Sequence, residues 1–319
     1  ISMPEVTVII PAYNAAPWLA DTLRSVQEQD FTNFSCIVVD DGSTDATAEI
    51  FARGVAHDSR FLLVRQAHAG VCAARNAGME LVQTPLVAML DSDDIWHCSF
   101  LRRMVHTLAK PGVRLACCRY ALFHHKTCLR KPQAWINIHA TGNIWWDMLL
   151  DSVFCMGAWV ARTADTRMVG AFAPSLACAE DRDFLLRLLA YCAAGGDGSM
   201  ICIPEELLFY RQRRESAVRT TTQPLETEWT LMSEHLEHPS VPPTVRRHGY
   251  SFLAFKMAVI AACAHHDLKA ALRWYAKAVV LCPANMNLYL LPLRKLMLSL
   301  SPPQKLPWLC SFLSRGDEG

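Results

Sequence analysis

Runs of β-branched and aliphatic residues, each about a strand long, alternate through the N-terminal part of the chain with stretches whose apolar positions recur every three or four residues. Val6-Thr7-Val8-Ile9-Ile10 is too short for a helix and stops at Pro11-Ala12-Tyr13-Asn14. Cys36-Ile37-Val38-Val39 stops at Asp40-Asp41-Gly42-Ser43-Thr44-Asp45. Leu86-Val87-Ala88-Met89-Leu90, entered through Thr84-Pro85, stops at Asp91-Ser92-Asp93-Asp94. Between the first two runs, Trp18, Leu19, Thr22, Leu23 and Val26 share one face of an amphipathic helix. Continuous apolar strands alternating with helices predict a parallel sheet buried on both faces. Such a sheet binds ligands in the crevice beyond the carboxyl ends of its strands. All three polar clusters fall at such ends.

The pattern turns mixed after residue 110. Arg114 to Cys118, Val153 to Val160 and Met200 to Ile203 read as short strands. A helix beginning near Glu180 carries Phe184, Leu185, Leu188, Leu189 and Cys192 on one stripe. Its first turn holds Glu180, Asp181 and Asp183, where the helix dipole favours negative charge. Thr220-Thr221-Thr222-Gln223-Pro224 reads as a linker, and Pro239 to Pro243 and Pro283 divide the helical region beyond it. His266 to Pro283 looks like half of a tetratricopeptide unit, with Ala271, Tyr275 and Ala278 at packing positions. A lone unit does not stand as an array, so the region is expected to cap the α/β domain. Leu288 to Leu300 places Leu293, Leu296, Met297 and Leu300 on one side, as core or as a homodimer surface. Pro302-Pro303, Pro307 and Trp308 give the tail an interfacial character that leaves peripheral membrane association open. The expected divisions are residues 1–110 and 111–219, two halves of one α/β domain, and residues 220–319, an all-helical C-terminal region.

A chain of 319 residues is long enough to bury a real core. Its 31 Lys and Arg against 30 Asp and Glu put the net charge near zero. That excludes an overall basic nucleic-acid footprint and gives no reason to expect a broad patch for anionic membranes. Apolar residues make up 52%, but no run reaches the ~18 residues of a spanning helix. Phe252 to Cys263 comes nearest and contains Lys256. The first strand starts close to the beginning of the chain, so no secretory leader is expected, and Ile1-Ser2 reads as a remnant ahead of a natural start at Met3. The thirteen cysteines sit mostly in apolar segments, among them Cys36, Cys117, Cys118, Cys155, Cys192, Cys202 and Cys263, and no Cys-x-x-Cys pair occurs. They are expected to be reduced, buried thiols of a cytoplasmic protein, at most peripheral at the cytoplasmic face of the membrane.

Three carboxylates within Asp91-Ser92-Asp93-Asp94 repel one another unless a cation arrives, and a hard divalent ion with its own charged ligand is the usual solution. A solvated acidic turn is the plainer alternative. The other strand ends shift the balance. Val8-Ile9-Ile10-Pro11-Ala12-Tyr13-Asn14, Val38-Val39-Asp40-Asp41-Gly42-Ser43-Thr44-Asp45, Ala74-Arg75-Asn76-Ala77-Gly78 and Leu90-Asp91-Ser92-Asp93-Asp94-Ile95-Trp96 follow in order. In sequence and spacing they resemble the family 2 glycosyltransferases. The resemblance continues less tightly to about residue 216, through Gly170-Ala171-Phe172, Glu180-Asp181 and Tyr210-Arg211.

The resemblance implies an α/β, Rossmann-like GT-A fold, a mostly parallel sheet flanked by helices. It also implies an inverting enzyme, dependent on Mn2+ or Mg2+, that takes a nucleotide-sugar donor. Residues 1–110 then bind the nucleotide sugar and 111–219 the acceptor. Asp93 is the implied metal ligand, with Asp91 on the ribose or on a metal-bound water and Ser92 beside it in the nucleotide site. Asp94 either joins this set or caps the next turn. Asp41 matches the position that accepts the imide hydrogen of uracil. Tyr13 is placed to stack on the base, and Pro11, Ala12 and Asn14 complete the nucleotide contacts. Arg75 either faces the diphosphate or forms a structural ion pair. Asp181 is the implied general base, next to Glu180. Arg211, Arg213 and Arg214, with Arg219, form either a loop that closes over the diphosphate or a solvated one.

His124-His125 and Cys128 read as an exposed loop, not a metal site, because no second ligand cluster accompanies them. Trp145, Trp146 and Trp159 are core or sugar-stacking residues. The Gln-x-x-Arg-Trp signature of processive synthases is absent, which favours addition of one sugar to a glycan, lipid-linked saccharide or protein-glycan acceptor. A sugar nucleotidyltransferase needs a Gly-rich basic loop after the first strand, and a dinucleotide oxidoreductase needs Gly-x-Gly-x-x-Gly; neither occurs. The non-enzymatic alternative is a catalytically silent nucleotide-sugar-binding scaffold with a helical interaction tail. Asp41, Asp91, Asp93 and Asp181 together argue against it.

Overall fold

A computed structural model describes residues 4–123, 155–174, 180–196, 199–211, 225–263 and 265–283. They fall into two compact units, residues 1–214 and 215–319. In the first, β1 (Val6–Ala12), β2 (Phe34–Asp40), β3 (Phe61–Arg65), β4 (Leu86–Met89), β5 (Ile95–Trp96), β6 (Leu115–Phe123), β7 (Trp159–Arg162) and β8 (Met200–Arg211) make one sheet. Its order is β3-β2-β1-β4-β7-β6-β8-β5. β3, β2, β1 and β4 run parallel, as the strand–helix alternation predicts. β7 turns the direction, lying antiparallel to both β4 and β6, while β6 and β8 are parallel again. Helices α1 (Leu19–Gln27), α2 (Thr47–Gly54), α3 (Val71–Glu80), α4 (Phe100–Leu108), α5 (Thr163–Met168) and α6 (Glu180–Ala193) complete this unit.

Every residue of β1 is buried, so its one hydroxyl needs internal partners: Thr7 Oγ1 meets Ser35 Oγ at 2.9 Å and Thr84 Oγ1 at 2.8 Å. β1 also runs through Pro11, beyond the expected stop. Ile9 gives its carbonyl to Leu90 N–H on the β4 side, so by strand alternation Pro11 turns its nitrogen to the same side, where β4 has already ended. The missing N–H therefore breaks no ladder bond. Gly78 of α3 is the point of closest approach to β1: a Cβ there would lie 2.5 Å from Ile9 Cγ2.

Two expected strands are corrected. Residues 156–158 of the Val153–Val160 run form a 3-10 turn before β7, and the Gly157 carbonyl in it accepts the Trp96 indole N–H at 2.7 Å. β8 extends well past Ile203, with two register shifts against β6 on either side of the Arg119–Glu206 pair that absorb Pro204 and Glu205 before it and Leu207 after it. Trp159 is core, and the α6 stripe Phe184, Leu185, Leu188, Leu189 and Cys192 is buried as expected.

The second unit contains α7 (Leu225–Leu236), α8 (Pro243–Cys263) and α9 (Leu268–Leu281). Asp267 caps α9 by accepting from Ala270 N–H. Ala271 and Ala278 are buried against α8, with Tyr275 packed beside them, which are the packing positions expected from the sequence. Among the described residues no helix is long and apolar enough to cross a membrane, and the described cysteines form no disulfide. The 220–224 linker, the Leu288–Leu300 segment, the tail, Trp145, Trp146 and the His124 loop lie outside the described residues.

Candidate active site

The acidic turn is held by its surroundings. Past β4, Asp94 N–H donates to the Asp91 carbonyl at 3.1 Å and closes the turn. Thr22, the polar member of the α1 stripe, directs its hydroxyl at the carbonyls of Ser92 and Asp94, at 3.0 and 2.8 Å. Arg211, at the end of β8, donates its backbone N–H to Asp94 Oδ1 at 2.8 Å and its Nε to the Asp93 carbonyl at 2.7 Å. Its Nη2 reaches Asp21 at 3.3 Å, and the guanidinium stands 4.5 Å over the Phe123 ring. Arg211 is thus a buried strand residue that fixes the turn, not part of a solvated loop; Arg213 and Arg214 lie outside the described residues. Asp94 is no helix cap either. It is 1% exposed, and its Oδ2 has no hydrogen-bond partner. Burial, followed by the charges of Asp93 and Asp91, raises its carboxyl well above the usual range.

Asp91 and Glu180 meet on Arg75. This buried α3 residue donates Nη2 to Asp91 Oδ1 at 3.0 Å and Nη1 to Glu180 Oε1 at 2.9 Å. Of the two readings open in the sequence, the ion pair is what the geometry contains. Burial disfavours the guanidinium cation, but Asp91, Glu180 and Asp181 outweigh it and raise its pKa. Glu180 is also raised, by burial and then by Asp181, against the pull of Arg75. Arg75→Met should therefore cost about 3–5 kcal/mol, because it leaves two carboxylates desolvated without their cation. Chemical denaturation measures this, and an unchanged midpoint would contradict the bridging role.

In the first turn of α6 the three acids differ. Asp183 is bound to Arg187 Nε and Nη2 at 3.0 and 2.7 Å, and Arg187 also holds the Val169 and Ala171 carbonyls. Glu180 is on Arg75. Asp181, half-buried, accepts from Arg182 N–H at 2.7 Å and forms no ion pair among the described residues. Asn76 of α3 fastens the approach to this helix, exchanging two hydrogen bonds of 2.9 and 2.8 Å with the Phe172 backbone.

A second cluster forms at the ends of β1 and β2. Asn14, in the left-handed region at φ 47°, accepts from Thr44 N–H and donates its own N–H to Ser43 Oγ, both at 2.9 Å. Asp40 is structural, taking Ser43 N–H and Arg65 Nε. Asp41 is buried and crowded with donors. Oδ1 accepts from Gln66 Nε2 at 2.7 Å and Ala69 N–H at 2.9 Å; Oδ2 accepts from Gly70 N–H at 2.8 Å and lies 2.8 Å from His68 Nδ1. Four partners fill the lone-pair positions of a carboxylate. His68 also stacks on Tyr13, with ring centroids 4.0 Å apart and 19° between planes. Gly42 permits this approach, since a Cβ there would lie 2.8 Å from His68 N.

Sequence reasoning missed Thr22, Gln66, His68 and Asn76. Thr22 and Asn76 stood inside recognised patterns without an assigned role; Gln66 and His68 lie on a segment with no periodicity. Among the described residues no three His, Cys, Asp or Glu side chains converge as a complete metal-ligand set. The crowded acidic turn with its orphaned Asp94 oxygen nevertheless fits a hard cation that takes its remaining oxygens from a ligand.

Residues 7–165 match the family described as Glycosyl transferase family 2. The chain is 30% identical over 149 residues to the glycosyltransferase GlyA of Streptococcus pneumoniae, covering 47% of this chain and 20% of that protein. It is 37% identical over 117 residues to the glycosyltransferase AglE of Haloferax volcanii, covering 36% and 38%. The chain thus spans well under half the length of these curated relatives. Among solved structures it is similar to S. aureus TarS 1–349 in complex with UDP-GlcNAc, with a TM-score of 0.63, 14% identity and coverage of 85% of this chain and 89% of that one. It is also similar to the mannosyltransferase PcManGT of Pyrobaculum calidifontis in complex with GDP-Man and Mn2+, with a TM-score of 0.61, 20% identity and coverage of 92% and 83%. These likenesses bear out the α/β, GT-A arrangement expected from the sequence.

Proposed function

Because the chain belongs, through its residues 7–165, to glycosyl transferase family 2, we propose that it moves one sugar from a nucleotide diphosphate sugar to an acceptor hydroxyl with inversion. The donor is a uridine diphosphate sugar and the acceptor a glycan, lipid-linked saccharide or protein glycan. Besides the family match, the observation that carries the reading is the Asp91–Arg75–Glu180 bridge. It ties the acidic turn to the helical turn that bears Asp181, so the two halves of the chemistry move as one piece.

Asp93, with Asp91, would hold Mn2+ or Mg2+, which when bound offsets the charge that builds on the leaving diphosphate. Arg75 orients Asp91 and counters the charge of Glu180. Thr22 and Arg211 fix the backbone of the turn, so little ordering remains to be done when the donor enters. Asp181 takes the proton of the acceptor hydroxyl as its oxygen attacks the anomeric carbon. The bond from that carbon to the diphosphate oxygen breaks, and the nucleoside diphosphate leaves. One base, with no second carboxylate acting as nucleophile, gives a single displacement.

Asp41 reads the base. Its two backbone donors, from Ala69 and Gly70, are fixed, so the uracil imide hydrogen takes the place of the His68 or Gln66 side chain. Tyr13, already stacked on His68, lies against the base. TarS and PcManGT bind donors of the class proposed, but at 20% identity or less they do not select the sugar.

The test is a panel of UDP- and GDP-sugars with saccharide and lipid-linked saccharide acceptors, read as nucleoside diphosphate release. Release from a UDP-sugar is expected, abolished by chelator and restored by Mn2+ or Mg2+. Release from no donor, or release indifferent to chelator, contradicts the reading.

A further inference from the structure

The near-zero net charge conceals a division. Residues 243–319 hold ten Lys and Arg and three Asp and Glu, a formal charge of +7, against 21 and 27 in residues 1–242, a charge of −6. A chain so divided points to an anionic partner for its basic part. α8 and α9 lie in that part and contain Arg246, Arg247, Lys256, Lys269, Arg273 and Lys277 with no acidic residue.

α9 determines how the charge is presented. Its buried side is Ala271 and Ala278. On the opposite side Leu268, Leu272 and Val280 are 56%, 62% and 76% exposed. They stand at i, i+4 and i+12, with exposed Ala276 at i+8, so they form one row. Lys269, Arg273 and Lys277 make a second row at the same spacing beside it. Arg273 and Lys277 border a cavity of about 510 Å³ that Trp274 also lines, together with the carboxylates of Glu226 and Asp267. Lys277 Nζ lies 3.7 Å from the centroid of the Trp229 ring and 4.8 Å from that of Trp274.

A nucleic acid would use the cationic row and leave the large apolar side chains in water. A row of leucines and valine alongside a row of cations matches the layered chemistry of a bilayer surface: acyl chain for one, lipid phosphate for the other. We propose that the exposed face of α9 is a docking surface for an anionic phospholipid membrane. Leu268, Leu272 and Val280 enter the acyl boundary, and Lys269, Arg273 and Lys277 meet the headgroups. This puts the contact on a folded helix, where the sequence alone directed attention to the tail around Trp308.

The test floats the full chain on vesicles of phosphatidylcholine, alone or mixed with phosphatidylglycerol. At least about tenfold more protein is expected on the mixed vesicles, declining as salt is raised. Lys269→Glu/Arg273→Glu should lose at least about tenfold of that binding. Leu268→Ser/Leu272→Ser should lower it too and leave the remainder fully reversible by salt. Both pairs are solvent-exposed, so the melting temperature should not change. Equal binding to both vesicle types, or full binding by the charge-reversed variant, overturns the proposal. So does a leucine variant whose only change is a smaller mass in solution, which would make this face a contact between two copies. Salt-sensitive capture of an oligonucleotide that ignores the leucine substitutions, with no vesicle binding, overturns it in favour of nucleic acid. No donor sugar is present in the assay, so its outcome is independent of glycosyl transfer.

Discussion

Asp181→Asn is expected to lower transfer by about two to four orders of magnitude while affinity for metal and nucleotide sugar stays near normal. A general base matters only when the acceptor hydroxyl loses its proton, so donor binding should not register its removal. Asn keeps the size of Asp and can still accept the Arg182 N–H and favour the start of α6, so folding should survive. A structural Asp would behave differently, with melting temperature, donor affinity and transfer falling together. Calorimetric donor affinity, thermal melting and transfer rate, measured on both proteins, separate the two. Unchanged transfer with normal folding would move the role to Glu180. Asp183 is the other candidate; each of the two is already held by an arginine, Glu180 by Arg75 and Asp183 by Arg187.

Asp93→Asn is expected to weaken metal-dependent nucleotide binding and to lower turnover at least about a hundredfold, since a hard cation loses a charged oxygen ligand. The fold of the turn should persist. Arg211 bonds the main-chain carbonyl of Asp93, which the substitution keeps, and Thr22 bonds the carbonyls on either side. Removing one of three crowded charges also relieves Asp94. The measurement is activity across a manganese titration, and wild-type activity at limiting metal would exclude Asp93 as a ligand.

What was legible in the sequence was the part written locally. Strand length, continuous burial and helical spacing are properties of neighbouring residues, so β1, α1, β2 and β4 and the polar clusters at their ends could be read directly. β8 could not, because Pro204-Glu205-Glu206 looks like a turn and only the register shifts against β6 let a strand pass through it. Arg211 was consequently expected in a loop. The Arg75–Glu180 contact joins residues 105 apart in the chain, and no spacing rule reaches that far. Arg75 could be recognised as an arginine on a helix but not matched to a partner. His68 and Gln66 lay on a stretch without periodicity, so the filling of Asp41 by its own loop left no trace in the pattern. The charge division was present in the sequence throughout; the chain-wide sum hid it by cancellation.

The most direct test of the site is a calorimetric titration of UDP into the full chain, once with Mn2+ and once with chelator. If the acidic turn after β4 completes a metal–diphosphate site and Asp41 reads the base, UDP should bind at one site with Mn2+, and chelator should abolish most of the affinity. Binding of equal strength in both titrations, or no binding in either, would contradict the account.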